Sequence, residues 1–230
     1  MLKERQHDVL KRIIETHIKS GETIGSNLLL AEHRDLEVSS ATIRNDMALL
    51  EEEGYLLQPH TSAGRIPTEK AYRYYIKHFL IDRSLTAQEE QVLQNALEQA
   101  EVLNIPTPKI LAKTAAALAE QAVIVAFSPH DLYYTGLSYL LRKPEFREHE
   151  HSESWLDMID RFDEVAAELF DYVDDTVILI GQENPFGLEC GLIATRYGPD
   201  NNSMLTILGP MRMDYSRNRA LATSMREKLQ

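Results

Sequence analysis

Residues 39–75 read SSATIRNDMALLEEEGYLLQPHTSAGRIPTEKAYRYY, and this stretch decides the fold. Ser39 and Ser40 each offer a side-chain oxygen to the free amides of a first helical turn. Ile43, Met47 and Leu50 then recur at spacings of four and three, which makes one helix face apolar. Thr42, Arg44, Asn45 and Ala48 lie off that stripe. Gly54, which tolerates positive φ, ends the helix. Tyr55-Leu56-Leu57-Gln58 reads as a strand that Pro59 stops. His60 to Gly64 is a small, polar tip, and Arg65-Ile66 returns as a second strand. Pro67-Thr68 closes the ribbon, with Thr68 as the cap of a further helix. A helix followed by a ribbon with Arg near its tip predicts the winged form of the helix-turn-helix. In that motif the helix enters a major groove and the wing rests on the backbone or the minor groove.

Working back toward the start, residues 3–20 form a first helix with Leu10, Ile13, Ile14, His17 and Ile18 on one face, ended by Gly21. Ser26 is placed to cap a short second helix carrying Leu28, Leu29 and Ala31, and residues 33–38 make the turn. Helix, short helix, turn, helix, ribbon is the complete winged-helix order. Working forward, Tyr72, Tyr75, Ile76 and Phe79 form a stripe on the helix from Glu69 to Ile81, read as packing onto the winged-helix core or the next domain, with an inter-subunit contact as the alternative. Asp82-Arg83-Ser84 is a polar linker, so the expected domains are residues 1–82 and 83–230. The second opens with helices over about 86–103 and 107–121, broken at Asn104-Ile105-Pro106. Strands follow at 122–127, 132–135 and 176–180, with a hairpin at 191–197 and 204–208. A small helix at 136–142, an amphipathic one at 152–173 and a closing one at 214–229 complete an α+β domain.

The net charge of −12 argues at first sight against nucleic acid, but it is unevenly placed. Residues 1–80 carry 11 Lys and Arg against 12 Asp and Glu, a net of −1. The remaining 13 and 24 give residues 81–230 a net of −11. The first part is near neutral, so its basic groups can cluster on one face, while non-specific DNA affinity stays weak. The single cysteine, Cys190, precludes an internal disulfide and suits a reducing cytoplasm. No apolar run approaches a membrane span, and the charged start lacks a secretory signal's apolar region.

Within this frame Arg44 and Asn45 are the base-reading candidates, since Arg bonds bidentately to guanine and Asn to adenine. The alternative is a solvated face on which Asp46 and the Glu51-Glu52-Glu53 run serve as salt-bridge partners. Ser39, Ser40 and Thr42 at the helix start join the DNA-contact set. So do His60, Thr61, Ser62 and Arg65 on the wing, where phosphate contact is the default. Lys70 and Arg73 complete the set as backbone contacts. His149-Glu150-His151, flanked by Glu148 and Glu153, is read as a charged loop rather than a metal site, because zinc draws ligands from separated segments. Glu183-Asn184-Pro185 is read as a turn, and Asp214-Tyr215 with Arg212 as a helix start plus an ion pair. Nothing near Cys190 points to an activated thiolate. No nucleophile–base set, phosphate loop or carboxylate pair stands out, so no catalysis, cofactor or metal is expected.

The run GYLLQPHTSAGRIPTEKAYRYY, with SSATIRNDM ahead of it and GSNLLL at 25–30, resembles the HrcA family, the bacterial heat-inducible transcription repressors. TIRNDM with a Leu-Glu run is shared with other winged-helix repressors such as the DeoR type, whereas PHTSAGRIPT is far more specific. Ala71 stands where the family usually has Gly, a change that suits a helix. LYYTGLSYLLRKPEF, ILIGQEN and ILGPMRMDYSR are similar to the family's later blocks, so the resemblance runs from Met1 to about Ala222. It implies a GAF-like second domain. Between the equivalents of Phe127 and Tyr133 the family carries several more strands and an inserted dimerisation domain, where this chain has only Ser128 to Leu132. The implied second domain is therefore trimmed. The resemblance further implies repression of chaperone operons through an inverted-repeat operator, a homodimer, and a GroE-type chaperonin as partner. Two rivals stand beside it: a ligand-responsive regulator with a small-molecule-sensing GAF-like domain, and a winged-helix interaction module without operator binding.

Overall fold

The computed structural model describes residues 2–61, 63–146, 159–187 and 189–230. The chain folds as two compact units, Met1–Leu80 and Ile81–Gln230.

The first unit is built from α1 (Glu4–Ser20), α2 (Ser26–Glu32), α3 (Ser40–Glu52), a ribbon of β1 (Leu56–Leu57) and β2 (Ile66–Pro67), and α4 (Glu69–Phe79). Its core is Val9, Leu10, Ile13 and Ile14 of α1 with Ile24, Leu29, Ile43, Met47, Leu50, Leu56 and Tyr72, all buried. The turn between α2 and α3 is tied to α1 by polar bonds. Arg12 donates two bonds to Asp35, at 2.9 and 2.7 Å, and the Thr16 hydroxyl donates to Glu32 at 3.1 Å. α1 meets α4 through a 2.6 Å contact between His17 Nδ1 and the Tyr72 hydroxyl. Gly54, at φ 77°, follows the end of α3, and the Gly54 and Tyr55 amides take up the Glu51 and Leu50 carbonyls, the expected glycine stop.

Three local expectations are corrected. The second helix is capped by Gly25, not Ser26, because the Ser26 hydroxyl turns 2.9 Å from that of Ser40. The ribbon is shorter than read: only Leu56↔Pro67 and Leu57↔Ile66 pair, since the Tyr55 amide is spent on α3 and the Gln58 side chain on the tip. Pro67 accordingly lies inside the second strand, on an edge that needs no donor there. The last helix of this unit stops at Phe79, two residues before Ile81.

The second unit contains α5 (Ala87–Leu103), α6 (Thr107–Ala119), β3 (Ala122–Ser128), β4 (Asp131–Thr135), α7 (Leu137–Leu141), α8 (Phe162–Tyr172), β5 (Val177–Ile180), β6 (Cys190–Tyr197), β7 (Ser203–Pro210) and α9 (Tyr215–Lys228). Among the described residues five strands form one sheet in the order β4-β3-β7-β6-β5, each neighbouring pair antiparallel. Alternate residues such as Ile124, Leu192, Ala194, Met204 and Leu208 join Leu140, Phe146, Phe162, Val165 and Leu169 in one core. The intervening residues Val123, Val125, Ile193, Leu205 and Ile207 are equally buried, on the face that α6 and α9 cover. Burial on both faces explains why 122–127 is apolar without alternation. β3 and β4 join through a tight turn at Pro129-His130, with Ser128 paired to Asp131. The unit is thus a mixed α/β structure on an antiparallel sheet. Of the amphipathic helix expected at 152–173, residues 152–158, including Trp155, lie outside the described residues; the described helix starts at Phe162.

Candidate nucleic-acid interface

Ser39 caps α3 as its sequence predicts, accepting from the Thr42 amide at 3.1 Å. Ser40 donates to the Asn27 side-chain oxygen at 2.6 Å. These bonds lock the start of α3 against the start of α2. The buried stripe of Ile43, Met47 and Leu50 then fixes the rotation of α3, which turns Arg44 and Asn45 outward. Both are exposed, and among the described residues neither has an ion-pair or hydrogen-bond partner. Two of the acidic groups offered as their partners, Asp46 and Glu51, are engaged elsewhere. Asp46 is buried and held by Arg5 at 2.6 and 3.1 Å, and Glu51 is held by Arg65 at 2.8 Å.

The ribbon is built against α3 and the segment that precedes α2. Ile24 and Arg65 exchange two backbone bonds of 2.8 and 2.9 Å, adding the segment before α2 as a third line of pairing. Gly64 is required there, since a Cβ would sit 2.6 Å from the Ile24 carbonyl carbon. Gln58 donates its side-chain amide to the carbonyls of Thr61 and Ala63, at 3.1 and 2.8 Å, and so closes the tip. The result is a groove of about 420 Å³, walled by Gly25, Ser26 and Asn27, by Arg44 and Met47, and by Gln58, Thr61 and Gly64. The Arg44 guanidinium stands on one side and the ribbon tip on the other.

The nominated contact residues therefore fall into two groups. Arg44, Asn45, His60 and Thr61 point outward. Ser39, Ser40 and Thr42 have their hydroxyls in the helix-start network, where Ser39 and Thr42 lie 2.9 Å apart. Arg65, expected on phosphate, has only 16% of its side chain exposed and is bonded to Glu51. Lys70 donates to the Glu53 carbonyl at 2.6 Å and sits 4.3 Å over the Tyr55 ring, covering the end of α3. Arg73 pairs with Glu69 one turn away at 2.7 Å. Ser62 lies outside the described residues. Asn27 and Gln58 line the groove without standing out in the sequence; their signal is a carboxamide in the first turn of α2 and one just before Pro59-His60.

In the second unit the nominated features turn out structural. Asn184 accepts from the Phe186 amide at 3.0 Å, and Gly187 at φ 123° completes the turn. Asp214 caps α9, while Arg212 pairs with Glu145 rather than with its sequence neighbour. Burial pushes the Cys190 thiol well up, which removes the thiolate a redox role needs. His149-Glu150-His151 lies outside the described residues, and among the described ones no His, Cys, Asp and Glu cluster fits a metal. No helix among them is long and apolar enough to cross a membrane.

A helix-and-ribbon unit with Arg44 and Asn45 outward on its third helix, ahead of an antiparallel α/β unit, is the class of chain that these features define. A family model, HrcA protein C terminal domain, matches residues 61–218, and the chain belongs to the HrcA family. Similar relatives carry the name heat-inducible transcription repressor HrcA. The one from Bifidobacterium animalis subsp. lactis (strain AD011) is 52% identical over 97 residues, 42% of this chain and 26% of the relative. The one from Cutibacterium acnes (strain DSM 16379 / KPA171202) is 42% identical over 136 residues, 59% and 39% of the two chains. The matched stretches thus span well under half of these relatives' length. A crystal structure of a hypothetical protein shares the fold at a TM-score of 0.73 and 20% identity, covering 99% of this chain and 96% of that one.

Proposed function

We propose that this chain is a sequence-specific DNA-binding transcriptional repressor of heat-shock operons that encode chaperones. Its first unit is a winged helix-turn-helix, with α3 as the recognition helix and the β1–β2 ribbon as the wing. The observation that carries the reading is the orientation of Arg44 and Asn45, both outward and unpartnered among the described residues, with Arg44 lining a groove that the ribbon completes. Those are the side chains with the geometry to read guanine and adenine edges. His60 and Thr61 at the ribbon tip rest on the sugar–phosphate backbone. The names of the relatives support the repressor assignment. The operator is an inverted repeat read by a homodimer, because each half-site needs its own recognition helix. The second unit is a trimmed GAF-like domain that serves assembly and regulation.

A GroE-type chaperonin keeps the repressor folded, and heat draws that chaperonin away. Anything that binds and restores the native fold shifts its population by mass action, so chaperonin supply becomes the signal. The experiment is binding of the full chain to duplexes from chaperone promoters and to scrambled controls, before and after warming. Preferential binding that warming abolishes and chaperonin with ATP restores is the expected result. Heat-insensitive binding that answers instead to a metabolite would replace the chaperonin with a ligand as the signal.

A further inference from the structure

The Arg65 side chain stands where a wing arginine is expected to meet phosphate, yet its bonds point inward. Its Nε donates to Glu51 Oε2 at 2.8 Å, only 16% of its side chain is exposed, and its backbone is paired on both bonds with Ile24. Glu51 is in the last turn of α3, two turns beyond Arg44 on the same helix. The pair therefore joins the recognition helix directly to the residue that leads into the returning strand of the ribbon. Two further features fix the same joint: Gly64, with no room for a Cβ against Ile24, and Gln58, which closes the tip. The ribbon itself is only two residue pairs long, too short to hold its own angle.

We propose that the Glu51–Arg65 ion pair is a latch that sets the angle between recognition helix and wing, so that Arg65 is a positioning residue and not a phosphate anchor. The inference rests on the DNA-binding reading above. It predicts the opposite sign from phosphate contact at Glu51. A carboxylate that merely sits near DNA repels it, so removing its charge tightens binding. A carboxylate that holds the wing in place aids binding, so removing its charge weakens it.

The test uses the full chain and the duplex that the wild-type protein enriches from a randomised pool, with a scrambled duplex as control, across a salt series. Arg65→Ala and Glu51→Gln should each weaken binding to the enriched duplex about tenfold, the size of one lost charge-assisted bond. Their salt slopes should match wild type, and the double variant should be no weaker than either single one. The exchanged pair Glu51→Arg with Arg65→Glu should restore most of the affinity. Thermal melting of each variant separates lost geometry from lost folding, and Glu51→Gln, which keeps shape, serves if Arg65→Ala melts early. A slope lowered by about 0.9 in Arg65→Ala, with tighter binding by Glu51→Gln, would make Arg65 a phosphate anchor and overturn the latch. Wild-type affinity in both variants would overturn it as well. Wild-type protein that enriches no duplex at all would instead remove the DNA-binding reading on which the latch depends, an outcome visible before any variant is made.

Discussion

Arg5 of α1 grips Asp46 of α3 through two parallel bonds, Nε at 2.6 Å and Nη2 at 3.1 Å, with the carboxylate almost fully buried and the arginine half exposed. The pair helps to set the rotation of α3, and it takes the one acidic group of the helix's first two turns away from the exposed face that bears Arg44 and Asn45. Arg5→Ala strands a buried carboxylate, whereas Arg5→Leu with Asp46→Leu removes both charges and fills the space. The single variant is therefore expected to melt below wild type and the double variant to recover most of the loss. Calorimetry of the three proteins checks this, and equal loss in both variants would mean that the pair itself carries the stability.

Reading and anchoring separate by their dependence on sequence. On the proposed reading, Arg44→Ala or Asn45→Ala takes away a bidentate base contact, a loss of about 1–3 kcal/mol that relaxes preference at one position. Each variant should narrow the gap between enriched and scrambled duplexes, while His60→Ala weakens both alike. Fluorescence anisotropy on the two duplexes measures that ratio. An unchanged ratio in both Arg44→Ala and Asn45→Ala would move the reading face off this side of α3.

Acid should loosen the second unit through Glu89. Burial raises its carboxyl, but bonds from the Thr86 backbone and from Arg217 outweigh that and hold it down to about 2, against an ordinary 4.5. The Thr86 amide bond is 2.9 Å and the Arg217 bond 2.7 Å, and together they join the cap of α5 to α9. A depressed carboxyl contributes stability that is fully present above its unfolded value and is lost as pH falls from about 4.5 through 2. Glu90 and Asp175, lowered by Lys228 and Arg226 at the same helix, act with the same sign. Glu89→Gln should therefore flatten, without abolishing, the fall in denaturation midpoint across that window. Midpoints measured in steps between neutral pH and pH 2 check it; identical slopes for variant and wild type would place the acid sensitivity elsewhere.

Much of the fold is legible in the chain because its signals are local. The stripe of Ile43, Met47 and Leu50, the caps at Ser39 and Thr68, the helix start at Asp214, and the glycine stops at Gly21 and Gly54 each act within one or two turns, and each lies where its residues place it. The outward direction of Arg44 and Asn45 follows from that stripe by helix geometry alone. Tertiary structure decided the partners of the charges that bond beyond their own helix. Asp46 finds Arg5 across 41 residues, Arg65 finds Glu51 across 14, and Arg212 passes over nearby Asp214 for Glu145, 67 residues away. Periodicity records which face a side chain occupies, but an ion pair depends on the distance between two faces, and only the packed elements set that distance. That is why Arg65 reads as a wing arginine along the sequence and stands in the folded protein as half of an inward-facing joint.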